Sequence, residues 1–239
     1  MSQEMVFKQN LEPISTGKED VDRVLGGGIP PRTLMLLEGP SASGKSTLAQ
    51  QFLWGALTAG ERAALFTTEQ TVQSFLRQMD SLGEDVMSYY LLGHLKIFPI
   101  AALVEETDPA ELFQELTRRI AAQRGTRVVV LDSLSTFVSS AGGEQIQQFF
   151  NSCKSLCDDG KVIICTVHSG AFPEDTLTRV RSVCDAHLRL SVEKSGTHLL
   201  KTIEVAKIRG ADMSTGNISA FDVEPGLGIR IIPISRAQA

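Results

Sequence analysis

The stretch GPSASGKST, from Gly39 to Thr47, sets Gly39, Gly44, Lys45 and Ser46 in the spacing G-x-x-x-x-G-K-S, which suits the binding of a triphosphate. Glycine lets backbone N–H groups close on phosphate oxygens with no side chain in the way. Lys45 adds a mobile positive charge for the β and γ phosphates, and Ser46 a hydroxyl ligand for Mg²⁺. Ser41, Ala42, Ser43 and Thr47 complete the candidate contact set along the loop and the first helical turn. A glycine-rich turn can match such a pattern by accident, so the flanks decide. Leu34-Met35-Leu36-Leu37 reads as a buried strand, and Leu48, Phe52, Leu53, Trp54 and Leu57 recur at helical spacing. Strand, glycine loop and helix is the order that aims a helix N-terminus at an anion.

A second set of residues would complete the chemistry. Asp132 ends the apolar run Val128-Val129-Val130-Leu131, which is where open α/β sheets bind ligands and where a carboxylate holds Mg²⁺. Its alternative is a turn or helix-capping aspartate. Glu69 follows the candidate strand Ala63 to Thr67, on the same sheet edge, and is the candidate base that orients a water against a γ-phosphate. An exposed carboxylate that complements a helix dipole is the competing reading. Thr166 and His168 lie just past a strand expected to end at Cys165 and are candidates to sense the γ-phosphate, although a lone histidine is more often structural. Lys207 and Arg209 stand two apart in KIRG, so strand alternation puts both cations on one side. Such a pair would stabilise charge on a neighbouring subunit's phosphate, as an arginine finger does, or form a solvated strand face. Arg179 and Arg181 can be read as a nucleic-acid patch, but Glu174 and Asp175 beside them favour an ordinary helical surface.

The elements that must position these residues follow from apolar periodicity. Asp20 to Leu25 reads as a short helix ended by Gly26 to Gly28, and further helices are expected over Val72 to Leu82, around Leu112 to Ile120 and over 144 to 158. Strands alternate with them at Leu95 to Phe98, Val128 to Leu131 and Val162 to Cys165, which implies a mostly parallel sheet flanked by helices. From about Ala186 the pattern changes to alternating or apolar runs separated by turn signals, and an antiparallel extension of the sheet is expected there. Residues 1–13 read as an arm, and 14–239 as one domain. With 239 residues, 42% hydrophobic, the chain can bury one large core. The net charge of −5 gives no general basic field for nucleic acid or an anionic membrane. No apolar run approaches the ~20 residues of a membrane span and the opening lacks a leader's apolar centre, so a cytoplasmic location is expected. Cys153, Cys157, Cys165 and Cys184 have neither metal-site nor disulfide spacing; Cys153 and Cys157 are expected in the core of one helix.

The segments TGKEDVDRVLGGGIP, GPSASGKST, VVVLDSLS and KIRG resemble the RecA-like ATPases of the KaiC type. Within these, QMDSLGEDV, RVRSVCDAHLRL and the closing stretch from Ser214 to Ala239 are most similar to the FlaH (ArlH) branch, accessory ATP-binding proteins of the archaeal swimming motor, the archaellum. The resemblance spans residues 12–239 and implies a RecA-like core, ATP as the nucleotide, and a homo-oligomeric, often hexameric, ring with nucleotide at subunit boundaries. It implies as partners the motor's hexameric ATPase and its membrane platform protein, with a peripheral location at the membrane-bound motor. By position it makes Lys45 and Ser46 the phosphate and Mg²⁺ residues, Asp132 the second metal-side carboxylate and Glu69 the water-activating residue. Clock-type members carry two adjacent carboxylates where this chain has Glu69-Gln70, while Arg209 completes a K-x-R-G stretch that many FlaH-like chains lack. Two functions stay open: a nucleotide-state switch with slow or no hydrolysis, and an active ATPase that works on DNA or in signalling.

Overall fold

In the computed structural model, the structure describes residues 12–101, 103, 107–138, 141–195, 198–210 and 216–232. The expected arm lies outside them apart from Glu12 and Pro13, as does the end of the closing stretch beyond Ile232. The chain opens with α1 (Glu19–Val24) and β1 (Leu34–Gly39), the latter buried at every position. Next come α2 (Lys45–Thr58), β2 (Ala63–Thr67), α3 (Val72–Ser81), α4 (Met87–Leu91) and β3 (Leu95–Pro99). Then follow α5 (Pro109–Ala121), β4 (Val128–Asp132), α6 (Ser135–Val138), α7 (Gly143–Asp158) and β5 (Val162–His168). The chain continues through α8 (Glu174–Val183), β6 (Ala186–Ser195), β7 (His198–Ile208), β8 (Ile218–Glu224) and β9 (Gly228–Ile232).

These strands form one nine-stranded sheet in the order β3-β2-β4-β5-β1-β6-β7-β8-β9. The ladder is parallel from β3 through β6 and antiparallel from β7 to β9. The strands near the middle are continuous Val, Ile and Leu runs because helices cover both of their faces. Alternation along β1 shows the division. Met35 and Leu37 enter a core with Phe52 and Leu53 of α2 and Phe75 and Met79 of α3. Leu34 and Leu36 enter the other, with Leu116 of α5, Phe149 and Phe150 of α7 and Val180 of α8. All four cysteines are free and buried, so Cys153 and Cys157 are core residues of α7 as expected.

Two boundaries differ from the sequence reading. β5 runs three residues beyond Cys165, because Thr166, Val167 and His168 pair with Leu37, Glu38 and Gly39 of β1. Thr166 is therefore a buried strand residue paired with Leu37 rather than part of a following loop. The antiparallel extension starts at β7, not at Ala186: α8 carries the chain back across the sheet, so β6 lies parallel to β1 from Ala186↔Met35 to Arg189↔Glu38. Met87–Leu91 forms a short helix that the sequence did not announce, because Met87 and Leu91 are exposed and leave no periodic apolar face.

Candidate nucleotide-binding site

The carboxyl ends of β1, β2, β4 and β5 share one edge of the sheet, and the candidate residues collect there. Ala42 has φ 60° and Gly44 φ 93°, which turns the chain over between β1 and α2. At Gly44 a side chain would be strained by this backbone and would also meet the Phe221 ring of β8 at 3.0 Å. At Gly39 a Cβ would fall 2.6 Å from the Leu190 carbonyl oxygen and 2.7 Å from Ser43 Oγ. Space, as well as conformation, thus requires glycine at both ends of the loop. Ser43 Oγ is buried without a hydrogen-bond partner, whereas Ser41 and Ala42 are exposed.

Asp132 and Ser46 are brought together across β5. Asp132 is only 3% exposed, and its Oδ1 accepts hydrogen bonds from Ser46 Oγ at 3.0 Å and Thr166 Oγ1 at 2.7 Å. Lys45 opens α2 and donates from Nζ to the Pro40 carbonyl at 2.7 Å, so it curls back over its own loop. Burial lowers the Lys45 ammonium from its ordinary range, against the opposing pull of Asp132 and Glu69. Burial also raises the Asp132 carboxyl, against the Thr166 and Ser46 hydroxyls. Both residues are thus desolvated with only partial compensation from their neighbours. An anion over Lys45 and a cation beside Asp132 and Ser46 would complete it, so a nucleoside triphosphate with a divalent cation fits these residues.

Glu69 lies on the same edge. Its backbone N–H, like that of Gln70, donates to Thr67 Oγ1 at 3.2 Å, and Thr68 N–H donates to the Asp132 carbonyl at 3.0 Å, which ties this turn to the end of β4. The Glu69 side chain is exposed and no described residue hydrogen-bonds to its carboxylate, although its charge is felt at Lys45 and Asp132. Gln70 donates to Gln78 of α3, which in turn donates to Gln50 of α2 at 3.0 Å. The position after Glu69 therefore serves packing between helices. His168 is exposed, with Nδ1 2.8 Å from the Ser169 carbonyl oxygen, and shares no hydrogen bond with Asp132, Ser46 or Lys45.

Lys207 and Arg209 sit elsewhere. β7 runs antiparallel to β6, so its end at Ile208 pairs with Ala186, at the start of the parallel ladder, and the loop from Gly39 to Gly44 lies at the other edge. Lys207 Nζ donates to the carbonyls of Arg181, Ser182 and Cys184, and Arg209 Nη1 lies 3.5 Å from Asp185 Oδ1. Neither reaches the loop of its own chain.

Sequence reasoning missed the residues behind the loop. Glu38, next to Gly39, is 5% exposed and bound by Arg181 at 2.7 and 3.0 Å, with His187 Nε2 at 2.9 Å. Burial alone would raise the Glu38 carboxyl, but the hydrogen bonds from His187 and Arg181 hold it at about 2. Arg181 is consequently a clamp on β1 and not the solvated helix residue that its acidic neighbours suggested; its second partner is Glu174 at 2.7 Å. A glutamate inside an apolar strand run was the available signal, since such a charge requires a partner.

A family model described as "ATPase: KaiC" matches residues 14–236. The archaeal flagellar ATP-binding protein FlaH of Sulfolobus acidocaldarius is 33% identical over 228 residues, which cover 95% of this chain and 99% of that protein. The crystal structure of flagellar accessory protein FlaH from Methanocaldococcus jannaschii superposes with a TM-score of 0.81 at 27% identity, covering 93% of this chain and 99% of that one. The KaiC-like protein PH0186 of Pyrococcus horikoshii shares the fold, with a TM-score of 0.75 at 20% identity over 93% of this chain and 100% of that one. The chain belongs to the KaiC ATPase family, within which FlaH proteins are among its relatives.

Proposed function

We propose that this chain is an ATP- and Mg²⁺-binding switch subunit of the archaellum motor. The observation that carries the reading is the contact of Ser46 with Asp132 at 3.0 Å beside a desolvated Lys45, at the N-terminus of α2. Lys45 and the loop N–H groups hold the phosphates, while Ser46 and Asp132 hold the cation. The similarity to proteins named archaeal flagellar ATP-binding protein FlaH supports the motor as the setting. In that setting the ATP-bound form favours a homo-oligomeric ring, hexameric in the arrangement envisaged, that docks on the motor ATPase and the membrane platform protein. Binding acts through differential affinity for the assembled state. Lys207 and Arg209, which make no contact with their own loop, face a neighbouring subunit's γ-phosphate in the ring.

Hydrolysis in this reading is slow or absent. A base must be held within hydrogen-bond reach of the attacking water, whereas Glu69 is exposed with no described residue fixing its carboxylate. The test measures ATP retention, particle mass and phosphate release for the purified protein with Mg²⁺, beside Lys45→Ala and Glu69→Gln. Loss of ATP and of assembly together in Lys45→Ala supports the switch, and rings that form fully without nucleotide refute it. Rapid turnover abolished by Glu69→Gln would make the protein an active ATPase. The DNA-directed alternative requires salt-sensitive DNA binding with stimulated turnover, and the net charge of −5 weighs against it.

A further inference from the structure

The two cations of KIRG are engaged within their own chain at the connection between α8 and β6, and that connection holds β1 at both ends. At the start of β1, Leu34 N–H donates to Asp185 Oδ2 at 3.0 Å, and Asp185 N–H donates to the Leu34 carbonyl at 2.9 Å. At its end, Arg181 clamps Glu38, one residue before Gly39. The connection is fixed in turn from β7. Lys207 Nζ reaches three carbonyls at the C-terminus of α8, at 3.2 Å for Arg181 and 3.4 Å for Ser182 and closer still at Cys184. Arg209 N–H donates to the Asp185 carbonyl at 3.0 Å, and its guanidinium lies beside the Asp185 carboxylate.

A cation on the last carbonyls of a helix neutralises the negative end of its dipole and satisfies acceptors that have no partner within the helix. Lys207 therefore sets where α8 ends and so where Arg181 begins its reach to Glu38. The loop beyond has little slack. Gly39 is packed so closely against Leu190 and Ser43 that not even a methyl group fits, so a shift of a few tenths of an ångström at the end of β1 must move the loop.

We infer that Lys207, through α8, Arg181 and Glu38, and Arg209, through Asp185, are positioning residues for the phosphate loop of their own chain. This rests on the reading of that loop as a nucleotide site, and it deepens the role proposed across the subunit boundary. If a neighbour's phosphate draws these cations away, the grip on β1 loosens, and occupancy of one site is felt at the next.

The test is the ATP affinity of the full chain with Mg²⁺, at a dilution where sedimentation shows monomers, so that no neighbour contributes. Lys207→Met is expected to weaken binding about tenfold, a magnitude typical of coupling through packed elements. Lys207→Arg, which restores a multidentate cation to the same carbonyls, is expected to return most of it. Combining Lys207→Met with Glu38→Gln should cost less than the two losses multiplied, because both act on one path. Arg119→Met, on an exposed pair of α5, is the control and should leave affinity unchanged. Unchanged affinity in Lys207→Met, with or without a lower melting temperature, overturns the inference and leaves a helix cap only. A loss that appears only in assembled protein overturns it in favour of action across the boundary alone. If the unsubstituted protein binds no ATP, the reading of the loop falls, and this inference with it.

Discussion

Glu38 and Glu84 are both buried glutamates, 5% and 1% exposed, yet their regions treat the charge in opposite ways. Glu38, in the parallel half of the sheet, has Arg181 and His187 on its two oxygens and is held at about 2. Glu84 lies where the turn between β8 and β9 packs on the end of α3, and neither of its oxygens has a hydrogen-bond partner. Burial raises its carboxyl to about 7, against the opposing pull of Lys18 and Gln51. The same hairpin is tied down through its backbone: Gly226 N–H donates to the Ser81 carbonyl at 2.8 Å, Ile231 N–H to Asp20 Oδ2 at 3.1 Å, and Gln51 of α2 reaches the backbone of Thr16 and Ile229. Buried charge is thus paired where the backbone leads into the glycine-rich loop, whereas under the hairpin the carboxyl is desolvated without an ion-pair partner among the described residues and titrates near neutrality. A fixed ion pair specifies geometry at a desolvation cost, and a lone carboxyl makes packing depend on protons.

The largest effect should come from breaking the paired side. Arg181→Met leaves Glu38 buried beside His187 alone and is expected to cost about 3–5 kcal/mol, read as a lower urea midpoint. The double change Arg181→Met with Glu38→Gln should recover much of that loss, since the uncompensated charge is then removed as well. Next is the pH dependence. Glu84 binds its proton more tightly in the folded chain than at the ordinary value of 4.5, so the stabilisation is complete below about pH 4.5 and is lost as pH rises through about 7. The difference amounts to about 3 kcal/mol, and Glu84→Gln should flatten the melting temperature between pH 5 and pH 8. Glu38 runs the other way, its contribution present above about 4.5 and lost as pH falls toward 2. A melting temperature of Glu84→Gln that still falls over the neutral range would remove the contrast.

Gly228→Ala should cost about 2 kcal/mol, because its φ is 70° and a methyl group there would lie 2.5 Å from Glu84 Oε1. Amide exchange at the hairpin should rise in this variant before that of β1 does. The smallest change is expected for Arg230→Ala, whose ion pair with Glu224 at 3.1 Å is solvent-exposed on the same hairpin; thermal unfolding should stay within about 0.5 kcal/mol of the parent.

Much of the parallel half was legible in advance. Short apolar runs such as Val128 to Leu131 admit one reading when helical patterns alternate with them, and β2 has the expected bounds, Ala63 to Thr67. The strand–loop–helix unit around Gly39 to Thr47 was legible because local chemistry alone specifies it. The direction of β6 was not, since a strand's sequence does not record which neighbour it joins. Nor were the roles of Arg181 and Lys207: a cation beside acidic residues on a helix, or in an alternating strand, looks solvated until the element that packs on it is known.

The sequence by itself determined the glycine-rich loop between a strand and a helix, most of the alternation of strands and helices and the membership of the KaiC ATPase family, because each depends on residue types at short, fixed separations. Only the tertiary structure decided that Asp132 meets Ser46 across β5, that the Glu38 carboxyl is held low and the Glu84 carboxyl raised toward neutrality, and that Lys207 and Arg209 point away from their own loop. Those outcomes depend on which distant partner satisfies a buried polar group. That is set by strand order and helix packing, over separations that no local pattern encodes.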